Sequence, residues 1–403
     1  MRRATAAPST ARCVPPTDGP AVSGRRRLRQ FWVQVHLWPG LLLGAVFAVL
    51  GLSGSVLCFY PEIDLWLNPA QQVVGSAPAT FSVQRALDAL HAARPDYAGA
   101  WRLEMPLAEG RPLSARYYRP PETAGRSFAP FMATLDPQTL AVTSQRFWGD
   151  YAMTWLYNLH YTMLWEKPGR MAVGVVGLLS LLSLGSGLYL WWPAGGRWRE
   201  ALRARIRPGI VRATYDWHTL GGIYGLLLLL VISFSGVFLA LPEYGRPLVD
   251  AFSPLGRSAA LHSVDARGEM ISADLAVARA QAALPGALLR WVETPATADG
   301  VFRLNFWQAG DPGYRFPRSN VWVDAYSGEV LAVRDWRREA AGDVFLAWQH
   351  PLHNGEGFGL IGRLLASLAG LLPALLWVTG GMRWSQKRQA RAKQSALAGA
   401  RLI

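Results

Sequence analysis

The sequence predicts a membrane protein, mainly α, whose four transmembrane helices form a bundle of two tandem repeats, each with a small α+β domain outside the bilayer. Three observations predict it: four long uncharged apolar runs, basic residues gathered in three short segments, and a histidine-based spacing pattern that recurs in the second half.

The elements follow in order along the chain. Residues 1–30 hold Arg, Pro and Ser without an apolar core, and read as a disordered basic cytoplasmic arm rather than a cleaved signal. The first span then acts as the membrane-targeting signal. The apolar runs are Leu37 to Tyr60, Met171 to Trp192, Thr219 to Leu241 and Leu364 to Met382, none with Asp, Glu, Lys or Arg. Each has about 18 residues or more, enough to cross a hydrocarbon core of about 30 Å. They place spans at 31–60, 171–192, 219–241 and 358–382, the last kinked at Pro373. Between them lie outer domains at 61–170 and 242–357, a basic loop at 193–218 and a basic tail at 383–403.

The net charge of +14 invites a nucleic-acid reading, which its distribution opposes. Of 41 Lys and Arg, 19 lie in the arm (Arg2, Arg3, Arg12, Arg25, Arg26, Arg27, Arg29), the loop (Arg197, Arg199, Arg203, Arg205, Arg207, Arg212) and the tail (Arg383, Lys387, Arg388, Arg391, Lys393, Arg401). Only Asp18, Glu200 and Asp216 offset them there. The positive-inside rule puts these segments and both termini in the cytoplasm, and the two long connections outside. The charge therefore reports topology, and no nucleic-acid partner is expected. Cys13 and Cys58, in the arm and the first span, give the outer domains no disulfide framework.

The second half repeats the first in spacing. His36 is followed by Gly40, Ser53 and Gly54, and His218 by Gly222, Ser235 and Gly236 at the same offsets; Pro61-Glu62 and Pro242-Glu243 close the two runs. His160 precedes Arg170 and Trp191 exactly as His353 precedes Arg363 and Trp384. The outer segments match more weakly. Ser82 caps a helix over 83–93, with a hairpin at Asp136-Pro137-Gln138 between strands 131–135 and 140–142. Ser272 caps a helix over 273–283, with a turn at 324–328 between strands 321–323 and 329–333.

Because each unit contributes an even number of spans, the two copies share an orientation and are related by an axis along the membrane normal. That geometry puts His36 and His218 together at the cytoplasmic edge, and His160 and His353 together near the outer edge. Boundary imidazoles mark functional pathways more often than lone interfacial residues do when four recur at equivalent positions. Two histidines per level leave a structural zinc site short of ligands. Haem iron needs only two axial ligands, and facing helices of a bundle supply them. The glycines of the spans leave room for a flat macrocycle, or equally for close helix packing. Arg170 and Arg363 are candidates for haem propionates at the outer level, or snorkelling anchors. His91 and His262 read as surface residues, and His350 as a reserve ligand. The aromatic run Phe147 to Tyr157 reads as a headgroup belt, with a docking surface for a bulky substrate as the second option.

These residues resemble the PepSY-associated transmembrane proteins, often described as iron-regulated membrane proteins of bacteria. The resemblance covers roughly residues 30 to 385 and rests on Val35-His36-Leu37-Trp38-Pro39-Gly40, Leu159-His160, Asp216-Trp217-His218 with Gly222, and Leu352-His353 with Gly359, Gly362 and Arg363. The outer units look like PepSY domains, with Leu135 to Leu140 and Val323 to Val330 as their hairpins. The family includes inner-membrane ferric-siderophore reductases. The resemblance therefore implies a multi-pass protein of the bacterial inner membrane, two b-type haems with His36/His218 and His160/His353 as axial pairs, and electron transfer to the periplasmic face. Thr219 stands where a basic residue is common after the histidine, which leaves Arg29 and Arg212 as candidates for the inner propionates.

The expected function is thus an oxidoreductase: electrons from a cytoplasmic or quinol donor reduce Fe(III) held in a siderophore, which releases the iron. No nucleotide-binding glycine motif is present, so the donor is another molecule. The alternatives are a non-redox membrane accessory whose outer domains bind a peptide, protease or siderophore, and a small-solute transporter.

Overall fold

The computed structural model describes residues 20–73, 81–204, 209–256, 260–264 and 266–400. Most of the expected arm, with Cys13, and Arg205, Arg207 and Arg401 lie outside the described residues. Helix α1 (Pro20–Leu42) begins well before the expected first span, so the end of the arm is helical rather than disordered. It continues into α2 (Gly44–Leu57) after a 58° bend. Pro39, which lacks an N–H and crowds the carbonyl one turn earlier, weakens the helix just before that bend.

Next come α3 (Tyr60–Leu67), α4 (Val83–Ala93), α5 (Ala152–Thr162), α6 (Glu166–Trp191), the single turn α7 (Trp198–Ala201) and α8 (Ile210–Ala240). The second half adds α9 (Pro242–Phe252), α10 (Ala273–Ala283), α11 (Ala341–Asn354) and α12 (Gly359–Ala400). Helices α6, α8 and α12 are long and apolar enough to cross a membrane, and the bent α1–α2 pair, taken as one span, makes a fourth. The chain is a multi-pass membrane protein.

The spans pack in the order α1, α6, α8, α12, α2. The tightest seam joins α2 to α12. A Cβ on Gly51 would strike the Gly370 carbonyl, and one on Gly370 would strike Ser55 Oγ. Across this seam Ser55 Oγ donates to Ser367 O (2.7 Å) and Ser367 Oγ returns to Ser55 O (3.0 Å). Small residues let the backbones approach, and the hydroxyls satisfy themselves where water is scarce.

Outside the bundle, strands β1 (Trp101–Glu104), β2 (Leu113–Tyr117), β3 (Phe131–Leu135), β4 (Val142–Phe147), β5 (Leu288–Glu293), β6 (Val301–Trp307), β7 (Ser319–Asp324) and β8 (Val330–Arg334) form one antiparallel sheet. Its order is β4-β3-β2-β1-β5-β6-β7-β8. This corrects the expectation of two separate small domains. Strands β1 and β5 pair through Arg102↔Glu293, Leu103↔Val292 and Glu104↔Trp291, so two edges that would be open satisfy each other. Helices α4 and α10 have the expected bounds and serine caps, Ser82 accepting from Arg85 N and Ser272 from Leu275 N. They also cap each other. Asp274 accepts from Val83 N (2.7 Å) and Ser82 Oγ (2.6 Å), while Gln84 Oε1 accepts from Ala273 N (2.8 Å).

Alternation along the strands turns Trp101, Leu103, Leu113, Ala115, Phe131, Leu135, Val292, Leu304 and Val321 toward these two helices, in one continuous core. Trp101 is fully buried at its centre. Trp101→Ala is expected to destabilise the sheet domain by about 3–5 kcal/mol, read by denaturant unfolding of the full chain in detergent. A loss below about 1 kcal/mol would contradict this core.

Candidate functional site

Two residues of the bundle, His36 on α1 and His218 on α8, bring their rings together near its basic end, with centroids 6.1 Å apart. At the end nearer the sheet, His160 on α5 and His353 on α11 do the same at 5.9 Å. The second pair, expected near the outer edge, is carried by neither of the spans that follow it. Helices α5 and α11 are separate short elements that fold back against α2 and α8 and carry their histidines inward. Left-handed residues make the turns that allow it: Met163 and Leu164 before α6, and Gly355 before α12.

All four rings are held in one way. His36 Nδ1 donates to Ser183 O (2.9 Å), beside Ser186 Oγ (3.3 Å). His160 Nδ1 donates to Leu50 O (2.9 Å), beside Ser53 Oγ (3.1 Å). His218 Nδ1 faces Leu376 O and Thr379 Oγ1, each at 3.1 Å, and His353 Nδ1 faces Ile232 O (2.9 Å) and Ser235 Oγ (3.3 Å). A carbonyl only accepts, so Nδ1 carries the hydrogen and the Nε2 lone pair is left for a ligand. The residue after each hydroxyl is a glycine: Gly187, Gly54, Gly380 and Gly236. A Cβ there would stand 2.9 to 3.2 Å from the imidazole Cε1. A hydroxyl followed by glycine on a helix is thus a seat for one imidazole.

The donor set suits an iron held by two axial imidazoles. Two metal–nitrogen bonds of about 2 Å, plus about 1 Å from each nitrogen to its ring centre, span about 6 Å. Around the inner pair lies a cavity of about 740 Å³, within the range of cofactor sites. Its walls include Gly40, Gly44, Gly187 and Gly222, and its mouth carries Arg29, Arg383, Lys387, Arg388 and Arg391. Of the two expected inner cations, Arg29 lines this cavity. Arg212 instead pairs with Asp216 (2.7 Å) one turn along α8. The tail cations are the residues that the sequence reading missed, because α12 continues past the span and brings them back to the mouth.

Arg170 and Arg363 have other partners than the outer pair. Arg363 makes a bidentate pair with Glu62 (2.7 and 3.0 Å) and donates to Cys58 O (2.9 Å), and Arg170 pairs with Glu243 (3.1 Å). Each ties the start of one span to the end of another. The aromatic run divides between inward and outward side chains. Trp148 and Tyr157 turn inward with Tyr60 (centroids 5.2 to 6.5 Å), Trp148 donates to Asn158 Oδ1 (2.9 Å), and Trp155 stays exposed. His91 packs on Trp101, His262 pairs with Asp299 (2.9 Å), and His350 lies 3.3 Å from Glu356.

The family model described as the PepSY-associated TM region matches residues 33–387. Among curated proteins, the uncharacterized protein PA4219 of Pseudomonas aeruginosa is similar, with 36% identity over 98 residues. That alignment spans 24% of this chain and 24% of the relative.

Proposed function

The chain belongs to the PepSY-associated transmembrane family, and on that premise we propose that it is a haem-containing electron-transfer protein that reduces a ferric siderophore at the periplasmic face. One observation carries this reading. Four histidines stand in two facing pairs, each with Nδ1 engaged by a carbonyl and a hydroxyl and Nε2 left for a metal. Second-shell bonds of this kind fix ring orientation and raise ligand basicity. The proposal includes two tandem units in one orientation, with the basic end in the cytoplasm of a bacterial inner membrane.

A bis-histidine haem, when bound, supplies reversible one-electron transfer between Fe(III) and Fe(II). The chain's own residues do the rest. The seats at Gly54, Gly187, Gly236 and Gly380 keep each imidazole fixed, so that little reorganisation accompanies a change of charge. Arg29, Arg383 and Lys387 at the inner mouth would offset the propionate charge of a bound haem. The aromatic cluster Tyr60, Trp148 and Tyr157 packs α5 against α3 and the segment after β4. A cytoplasmic or quinol donor supplies the electrons. Reduction releases the iron because siderophore oxygens hold Fe(III) far better than Fe(II).

The test is reductase activity in proteoliposomes with donor inside and ferric siderophore outside, read by a ferrous chelator. Ferrous iron should appear outside only with haem-loaded protein. Equal rates with haem-depleted protein, or none at all with loaded protein and a reduced haem spectrum, would overturn the reading.

A further inference from the structure

The face of the sheet opposite α4 and α10 carries charge that its own residues do not balance. The register sets Arg146, Met132, Arg116, Arg102, Glu293 and Arg303 in one row across six strands, and Glu104 beside Trp291 in the next. Glu104 takes Arg102 (3.1 Å) and Arg116 (3.0 Å), Glu293 takes Arg303 (3.1 Å), and Arg146 is neutralised by Asp64 (2.8 Å). Two further guanidiniums join the cluster. Arg290 donates to Pro106 O (3.3 Å) and lies over Tyr314 (4.7 Å), and Arg315 lies over Tyr60 (5.0 Å). Among the described residues neither has a carboxylate within ion-pair distance; Arg315 also acts at longer range on Glu356, so five guanidiniums stand against Glu104, Glu293 and the more distant Glu356.

These groups are enclosed. Arg102, Arg290 and Trp291 are 6 to 7% exposed, and among the described residues Arg102 Nη2, Arg290 Nε and Trp291 Nε1 are buried donors without an acceptor. Although burial opposes it, Arg116, Arg102, Arg315 and Arg290 hold the Glu104 carboxyl below its usual range, so all four act on one point. Buried charge without a counter-ion is costly, and so are buried donors without acceptors. Guanidinium forks match planar carboxylates in particular. Tyr118, which accepts from Arg102 Nη1 (3.0 Å), and Tyr314 are the exposed edges at which a ligand would enter.

We infer that this guanidinium cluster, Arg102, Arg116, Arg290 and Arg315 around Glu104, is a binding site for a carboxylate-bearing ligand. The site stands on its own charges. That the ligand is a ferric chelate with carboxylate donors rests on the redox reading above; the other source of the same chemistry is the propionates of an outer haem.

The test is a titration of the full chain in detergent with citrate, followed by tryptophan fluorescence, since the Arg102 guanidinium covers the Trp291 ring at 3.5 Å. Citrate should bind saturably, about 10- to 100-fold more weakly to Arg315→Gln, and more tightly to Glu104→Gln, which removes the competing carboxylate. A merely structural cluster would not gain affinity in the second variant. Binding to both haem-loaded and haem-depleted protein assigns the site to the substrate, and binding to the depleted form alone assigns it to the porphyrin's propionates. No saturable binding in either form, or equal affinity in both variants, overturns the inference. A colourless protein would defeat the redox reading and leave this titration intact.

Discussion

His36→Ala should lower the haem content from about two per chain to about one and stop transfer across the membrane, while the spectrum of the remaining haem persists. The ring is held by α6 through Ser183 and Ser186 and faces His218 at 6.1 Å, so no other described imidazole reaches that level. His160→Ala should remove the other haem, because its ring faces His353 instead. Ser186→Ala keeps the ligand and loosens its seat, and should weaken haem retention by about 10-fold. Pyridine haemochrome content with reduced-minus-oxidised spectra reads all three. Full haem content in both histidine variants would remove these residues as ligands.

Gly370→Val is expected to have an even broader effect. The new side chain would meet Ser55 Oγ and the Gly51 carbonyl, so α2 and α12 must separate. Overpacking of this kind costs about 1–3 kcal/mol, and it also breaks the Ser55–Ser367 exchange. Both levels depend on that seam. Helix α2 provides the carbonyl and hydroxyl for His160, and α12 those for His218. The variant should therefore melt several degrees lower and lose haem from both levels, whereas Gly381→Val, which meets nothing within 4 Å, should do neither. Selective loss at one level, or equal behaviour of the two variants, would contradict this account of the seam.

What the sequence made legible was chiefly local. The apolar runs, the serine caps of α4 and α10 and strand β3 came from short-range patterns; the bounds of α4, α10 and β3 agree with the structure, whereas the helices that carry the apolar runs extend beyond them. The offsets from His36 and His218 exposed Ser53-Gly54 and Ser235-Gly236. They did not expose what these dipeptides do, because each seats a histidine more than a hundred residues away. Ser186-Gly187 and Thr379-Gly380 went unread although they too recur at equal offsets, plus 26 and plus 27 from His160 and His353, because only the arginine and tryptophan after those histidines were matched. A search for hydroxyl–glycine steps on every apolar helix would have found all four.

The outer region was read less well for a physical reason. Strands β1, β2, β5 and β6 are interrupted by charged residues, since one face of the sheet holds arginines in place of solvent. Their alternation therefore looks polar. The β1–β5 pairing that fuses the two halves is non-local and leaves no mark in either segment alone. Likewise Pro61-Glu62 and Pro242-Glu243 were visible as punctuation, but their role as partners of Arg363 and Arg170 depends on how the spans cross.

The central claim is that the paired histidines hold haem, and the visible spectrum of the detergent-purified full chain tests it most directly. The account predicts a Soret band with sharp α and β bands on dithionite reduction, at about two haems per chain. A folded protein that stays colourless after expression with ample haem would contradict it.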